Sequence, residues 1–410
     1  MHGITAEKIR QAQALVKDSG VDLWLTFVRE TSDGGDPVLP LLIEGGLTWQ
    51  SALIIAKTGE RVAIVGNYDA EPLEASGDWD EVVPYDEGIR GPLLETLERL
   101  IPAEHSWPKI AVNFSTSDPK ADGLSHGMYL LLQEYLDETR FEGRLVSGED
   151  IAGALRSQKT PTEIARTRAA IAETGRIFSE VRRHAKTGMT ERALYDFIQR
   201  LIEERGMGYA WDKHGDPIVN TGPDSMIGHG VPSAKIKIEP GHILHIDLGV
   251  QKDGYCSDIQ RCWLVPGAID DSRLAIDDSE SLPEDVSRAF DAVTGAISAG
   301  AEALKPGALG WRVDEAARSF LKETGFPEYR HATGHQVGRT AHDGGALLGP
   351  KWDRYGRTPY MKVQENQVFT LELGVMVEGR GYLGIEEMVL VTEDGCEWLT
   401  ERQLELPVLD

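Results

Sequence analysis

His245-Ile246-Asp247-Leu248-Gly249-Val250-Gln251-Lys252-Asp253-Gly254-Tyr255-Cys256-Ser257-Asp258-Ile259 is the stretch on which the interpretation of this chain turns. Apolar and polar residues alternate on both sides of Lys252-Asp253-Gly254, which is the pattern of two antiparallel strands joined by a tight turn. Two registers are open. A four-residue loop sets Asp247 directly opposite Asp258, about 5 Å away between backbones. A two-residue Asp253-Gly254 turn sets Asp247 opposite Gln260 and makes Asp258 its diagonal neighbour at about 7–8 Å. In both registers two carboxylates share a face. An edge strand with its polar side in water explains one such aspartate but not two, because like charges facing each other are destabilising unless something neutralises them. A bound cation is the simplest remedy.

A second hairpin repeats the idea. Phe369-Thr370-Leu371-Glu372-Leu373-Gly374-Val375 and Gly384-Ile385-Glu386-Glu387-Met388-Val389-Leu390 are joined through Glu378-Gly379-Arg380-Gly381. A loop centred on Gly379 sets Glu372 opposite Glu386. That loop opens the formal GxGxxG Gly379-Arg380-Gly381-Tyr382-Leu383-Gly384, but a dinucleotide fingerprint needs a helix after its glycines, and a strand pattern follows here. Histidines gather in His331-Ala332-Thr333-Gly334-His335-Gln336-Val337-Gly338 and at His342, with His229 in Gly228-His229-Gly230. His214, His242 and His245 read as structural. One imidazole with four carboxylates is an oxygen-rich set, suited to two divalent ions such as Mn²⁺, Co²⁺, Fe²⁺ or Zn²⁺.

Outward from these hairpins the chain falls into two parts. Residues 1–155 alternate helical and strand patterns: a helix over about 5–17, a strand in 21–27, strands at 52–56 and 61–65 about a Thr58-Gly59 turn, helices near 91–101 and 124–137, and a strand at 110–112. This predicts an α/β domain. Residues 156–410 begin with Thr160-Pro161-Thr162-Glu163, a helix start. A helix after Thr190 follows, with one apolar face and a stop at Gly206. Strands then occupy 209–265, helices about 284–304 and 311–324, and strands the C-terminal third. Blocks of this kind predict an α+β fold with an antiparallel sheet. The acidic 266–283 segment reads as a solvated loop, or more sharply as a lid.

The balance of 42 Lys+Arg against 67 Asp+Glu, a formal charge of −25, disfavours nucleic acid and anionic membranes as partners, since both are bound through lysine and arginine. Three cysteines cannot build a disulfide framework. Cys256 and Cys262 read as buried packing. No signal peptide and no membrane-length apolar run are legible, so the cytoplasm is the expected compartment.

With the five residues in chain order, the sequence resembles the pita-bread metallopeptidases (M24), the family of methionine aminopeptidase, aminopeptidase P and prolidase, with creatinase as a metal-free relative. The resemblance covers essentially the whole chain: a creatinase-like N-terminal domain, then a pita-bread catalytic domain. It implies metal ligands at Asp247, Asp258, His335, Glu372 and Glu386, in the contexts IDLG, GYCSD, TGHQVG, FTLELG and GIEEMVLV. Supporting histidines match His229 and His342, and His331 together with the N-terminal domain indicates the aminopeptidase P/prolidase branch.

The resemblance further implies two divalent ions per subunit, Mn²⁺ foremost, and a homodimer. The reaction expected is release of the N-terminal residue of short peptides at Xaa-Pro bonds, through a metal-bridging hydroxide. His331 and His342 would stabilise the oxyanion, His229 would position the peptide, and Glu372 would shuttle the proton. Three departures qualify this. Gln260 stands where the family usually has threonine, Asp343-Gly344-Gly345 follows His342 where prolidases tend to have Glu and Pro, and Gly384 takes the place of an arginine that can hold a dipeptide's carboxylate. A peptidase without proline preference, or a hydrolase or lyase acting on a small non-peptide substrate, is the alternative.

Overall fold

Every residue of the strand Leu23–Val28 is buried, so helices must cover both faces of its sheet. The computed structural model of the protein describes residues 3–226, 231–267 and 282–409. His229 and the acidic residues of the 266–283 segment lie outside them. The chain divides into two units, Met1–Thr162 and Glu163–Asp410.

The first unit carries α1 (Gly3–Asp18), β1 (Leu23–Val28), α2 (Leu39–Leu42), β2 (Ser51–Ala56), β3 (Arg61–Gly66), α3 (Ala70–Ser76), β4 (Glu81–Tyr85), α4 (Arg90–Leu100), β5 (Ile110–Val112), α5 (His126–Leu136), β6 (Leu145–Ser147) and α6 (Glu149–Ser157). Its strands form one mixed sheet in the order β4-β3-β2-β1-β5-β6, with β1–β2–β3 antiparallel and the outer strands added in parallel. Leu23, Leu25 and Phe27 face Leu93, Leu97 and Leu132 of α4 and α5. Trp24 and Val28 face Ile9, Ala12 and Val16 of α1 and Ile151 and Leu155 of α6. The period-2 alternation of one strand thus feeds two cores. Sequence reading passed over β4, an edge strand carrying Pro84, because an edge position tolerates proline and exposure and so leaves no apolar signature.

The second unit begins within α7 (Pro161–His184) and continues through α8 (Glu191–Glu204), β7 (Gly208–Tyr209), β8 (Ile218–Thr221), β9 (Ile243–Leu248), β10 (Val250–Lys252), β11 (Tyr255–Cys256), β12 (Ile259–Leu264), α9 (Glu284–Ala303), α10 (Gly310–Glu323), β13 (Val368–Val377), β14 (Gly381–Val391) and β15 (Cys396–Trp398). Thr190 caps α8 by accepting from the Ala193 N–H at 3.1 Å, and Gly206 ends it at φ +64°. The named strands described here pair antiparallel throughout.

Each hairpin is backed by its own helix pair. α7 and α8 pack Ile177, Val181, Leu194 and Ile198 with Leu244, Ile246 and Leu248 of β9. α9 and α10 pack Val293, Ile297, Val313 and Ala317 with Leu371 and Leu373 of β13 and Leu383 and Ile385 of β14. Cys256 joins the first of these cores and Cys262 the second, both fully buried and free.

The two turns set the registers. Asp253 and Gly254 both have positive φ (50° and 79°), the two-residue I′ geometry whose twist matches the strands. Asp247 therefore faces Gln260, and Asp258 is the diagonal neighbour. In the second hairpin Glu378-Gly379-Arg380 forms the turn, Val377 pairs with Gly381, and Glu372 lies directly opposite Glu386. The formal GxGxxG is this turn running into β14, with no helix behind it.

Candidate metal centre

Four carboxylates come from the two hairpins, and the imidazole comes from a segment laid against β13. The Glu372 N–H donates to Thr333 O (2.7 Å), Thr370 N–H to His335 O (2.9 Å) and Val337 N–H to Val368 O (3.0 Å). A Cβ on Gly334 would stand 2.0 Å from Thr370 O, so only glycine allows this approach. α10 fixes the segment from the other side. Asp314 accepts from the Thr333 hydroxyl at 2.8 Å, and Arg318, paired with Asp314 at 2.8 Å, donates to His331 O at 2.8 Å.

This places His335 Nε2 3.6 Å from Asp258 Oδ2, 3.7 Å from Glu372 Oε1 and 3.9 Å from Glu386 Oε1. Such separations are too long for hydrogen bonds, yet they suit a cation between the atoms: donors each about 2.1 Å from one ion stand roughly 3–4 Å apart. Asp258, His335 and Glu386 form a potential ligand group with donor atoms all within 4.8 Å of one another. Asp247 Oδ1 and Glu386 Oε2 are buried without a hydrogen-bond partner, and buried oxygens of this kind cost free energy unless something binds them. On these observations the residues fit divalent ions.

The electrostatics agree with the geometry. Burial first, then the Asp258 and Glu372 charges, push the Asp247 carboxyl well above the usual range. Burial and the Glu372 charge do the same to Asp258, and burial and the Asp258 charge do it to Glu386. Burial raises Glu372 to about 7. His335 is driven down to about 3 by burial and by His342, which leaves a neutral imidazole with a free lone pair. Without a cation the group holds protons it would otherwise lose; a cation reverses that preference.

The centre opens into a pocket of about 570 Å³ lined by all five residues. His331 and His342 stand on its wall, with the His342 ring 4.2 Å from that of His335 and the His331 ring edge-on to Tyr329 at 5.5 Å. Trp211, Asp212 and Tyr355 also line the pocket, as does His214, read as structural from the sequence.

Several participants escape sequence reading. Asp216, fully buried, accepts from the Ala210 N–H at 3.0 Å and is pushed by burial to about 8. Its Asp-Pro context reads as an ordinary turn. Asp314 and Arg318 read only as an i,i+4 surface pair until α10 buries them. Tyr382 shares a strand face with Gly384 and Glu386, and that period-2 spacing is the one signal that could have marked it. His245, read as structural, contacts Gln260 at 3.0 Å. No described helix is long and apolar enough to cross a membrane.

Known proteins sharpen the assignment. The Xaa-Pro dipeptidase of Pyrococcus furiosus is 31% identical over 220 residues, 53% of this chain and 56% of that protein. The Xaa-Pro dipeptidase of Lactobacillus helveticus is 26% identical over 316 residues, covering 75% of this chain and 78% of its own. In solved structures, an Xaa-Pro dipeptidase from Bacillus anthracis superposes with a TM-score of 0.72 at 22% identity, over 99% of this chain and 100% of that one, so the fold is the pita-bread fold with its N-terminal domain. Residues 165–393 match the description of metallopeptidase family M24, and the chain belongs to that family.

Proposed function

We propose that this metallopeptidase releases the N-terminal residue of short peptides at Xaa-Pro bonds, with two divalent ions held by Asp247, Asp258, His335, Glu372 and Glu386. The observation that carries the reading is the convergence of the Asp258, Glu372 and Glu386 carboxylates on the neutral His335 imidazole, with Asp247 Oδ1 and Glu386 Oε2 buried and left without protein partners. Relatives named Xaa-Pro dipeptidase support the substrate class. When bound, such ions supply a Lewis acid for the scissile carbonyl and a water acidic enough to lose its proton near neutral pH.

The chain's own residues do the rest. Glu372 takes the proton of the attacking water and delivers it to the leaving amine. His331 and His342 donate to the oxygen that gains charge as the carbonyl becomes tetrahedral. The acidic walls, Asp212 among them, receive the cationic amino end of the peptide. His229 is assigned to positioning the peptide on family resemblance alone. Mn²⁺ is the proposed ion, a homodimer the proposed assembly and the cytoplasm the proposed location. Residues 1–155 are proposed as the creatinase-like domain and 156–410 as the catalytic one.

Gly384 favours a second reading, a peptidase indifferent to proline. A Cβ there would lie 2.5 Å from Tyr382 Cε1, 2.9 Å from Gln260 Oε1 and 3.0 Å from His245 Nε2, so no arginine can hold a dipeptide's carboxylate from that position. The deciding experiment is an assay of Mn²⁺-reconstituted protein on Xaa-Pro and Xaa-Xaa di- and tripeptides. Faster cleavage of Xaa-Pro substrates supports the first reading, equal rates establish the second, and no cleavage of any peptide sinks both.

A further inference from the structure

Gln260 is buried on β12, directly opposite Asp247 and in contact with two groups at once. Its Nε2 lies 3.1 Å from Glu372 Oε2, and its Oε1 lies 3.0 Å from His245 Nε2. With a cation bound, Glu372 is ionised and only accepts hydrogen bonds, so the amide turns its NH₂ to Glu372 and its carbonyl to His245. A neutral imidazole has one N–H. Here it belongs on Nε2, where the acceptor is close, because Nδ1 stands 3.4 Å from Asn220 Oδ1, long for an N–H···O bond. Asn220 is itself held, its NH₂ donating to Ser225 Oγ and to Met226 O, each at 2.9 Å. The rotation of one carboxamide is thereby defined from both ends.

The surrounding packing holds the pair on more than one side. The Tyr382 ring meets the His245 ring edge-on at 5.0 Å and 89°. Tyr329, itself buried against the centre, interacts with both Tyr382 and Glu372. Gly384 leaves the space that Tyr382, Gln260 and His245 fill.

We propose that His245 and Gln260 are positioning residues for Glu372: the imidazole fixes the rotation of the carboxamide, and the carboxamide NH₂ fixes the carboxylate so that Oε1 faces His335. Within the metallopeptidase reading on which it rests, this gives the centre a support that reaches from the first hairpin to the second. Outer partners of metal ligands tune affinity and activity by about 10–100-fold.

The test uses the full-length protein, stripped by chelator and titrated with Mn²⁺ by calorimetry, with peptide kinetics at saturating Mn²⁺. Gln260→Met keeps the length and removes the amide; His245→Leu removes the ring donor; His245→Gln restores a donor of similar reach. We expect Gln260→Met and His245→Leu to weaken Mn²⁺ binding about tenfold and to lower kcat with KM unchanged. His245→Gln should recover most of both, and the metal-free melting temperature should not fall in any variant. Wild-type Mn²⁺ affinity in Gln260→Met would overturn the proposal. So would a His245→Gln protein as impaired as His245→Leu, or a metal-free melting temperature that drops along with the affinity, which marks a merely structural role. If the wild type cleaves no peptide, the functional reading falls while the Mn²⁺ titrations still decide this one.

Discussion

The two hairpins solve the same problem in different ways. The second sets Glu372 and Glu386 face to face, so its carboxylates repel at the shortest spacing a sheet provides. The first, turned by Asp253-Gly254 with positive φ at both residues, offsets its aspartates along the diagonal and puts Gln260 opposite Asp247. That offset frees a neutral amide to reach across to Glu372. The difference teaches that one acidic pair is placed by strand register alone, whereas the other leaves room for a support built from side-chain hydrogen bonds.

The sharpest way to break the comparison is to remove one carboxylate from each hairpin. Asp258→Asn and Glu386→Gln should each lose bound metal and more than about 100-fold in kcat/KM, beyond what outer supports contribute. Retained metal by elemental analysis in either variant would exempt that hairpin from the centre.

Removing metal from the wild type probes the repulsion itself. Glu372 rises from 4.5 to about 7 on folding, so the folded state binds protons that the unfolded state releases. Stability contributed by the protonated group is present below the unfolded value and is lost as pH rises through the folded one. The metal-free protein should therefore lose stability as pH rises from 4.5 to 7, and the likewise raised Asp247, Asp258 and Glu386 carboxyls add to that loss. Melting curves should show that decline without metal and its suppression with Mn²⁺; an identical decline in both forms would refute it.

Smaller effects test the packing and the turn. Gly384→Ala should destabilise the protein by about 1–3 kcal/mol, because its methyl group overlaps Tyr382, Gln260 and His245. Denaturant unfolding reads that value directly. Gly254→Ala should cost about 1 kcal/mol through the positive φ of the I′ turn and shift activity little, provided the register holds. A large loss of metal affinity in Gly254→Ala would mean that the turn, rather than the strands, maintains the diagonal.

Much of this was legible in the residues. The carboxylates Asp247, Asp258, Glu372 and Glu386 stand out because charged groups inside apolar strand patterns demand an explanation. The close approaches at Gly334 and Gly249 were not legible: a Cβ would fall 2.0 Å from Thr370 O at the first and 2.4 Å from Ser257 O at the second, contacts that only the folded chain makes. β4 stayed hidden because exposure and Pro84 erase a strand's signature. Asp314 and Arg318 stayed hidden because an i,i+4 pair looks the same on a surface helix as on a buried one, and only the neighbouring chain reveals that they hold the His331–Thr333 backbone.

By itself the sequence determined the two hairpins and their four carboxylates, because alternation and residue type are local properties that survive without neighbours, and the choice of His335 as the fifth candidate ligand came from the resemblance to the M24 family. Tertiary structure alone decided the register at Asp253-Gly254 and the distances from His335 to three carboxylates. It also decided the filling of the space over Gly384 by His245, Gln260 and Tyr382. Each of these depends on how segments distant in the chain meet, and hydrogen-bond direction and steric overlap exist only once they have met.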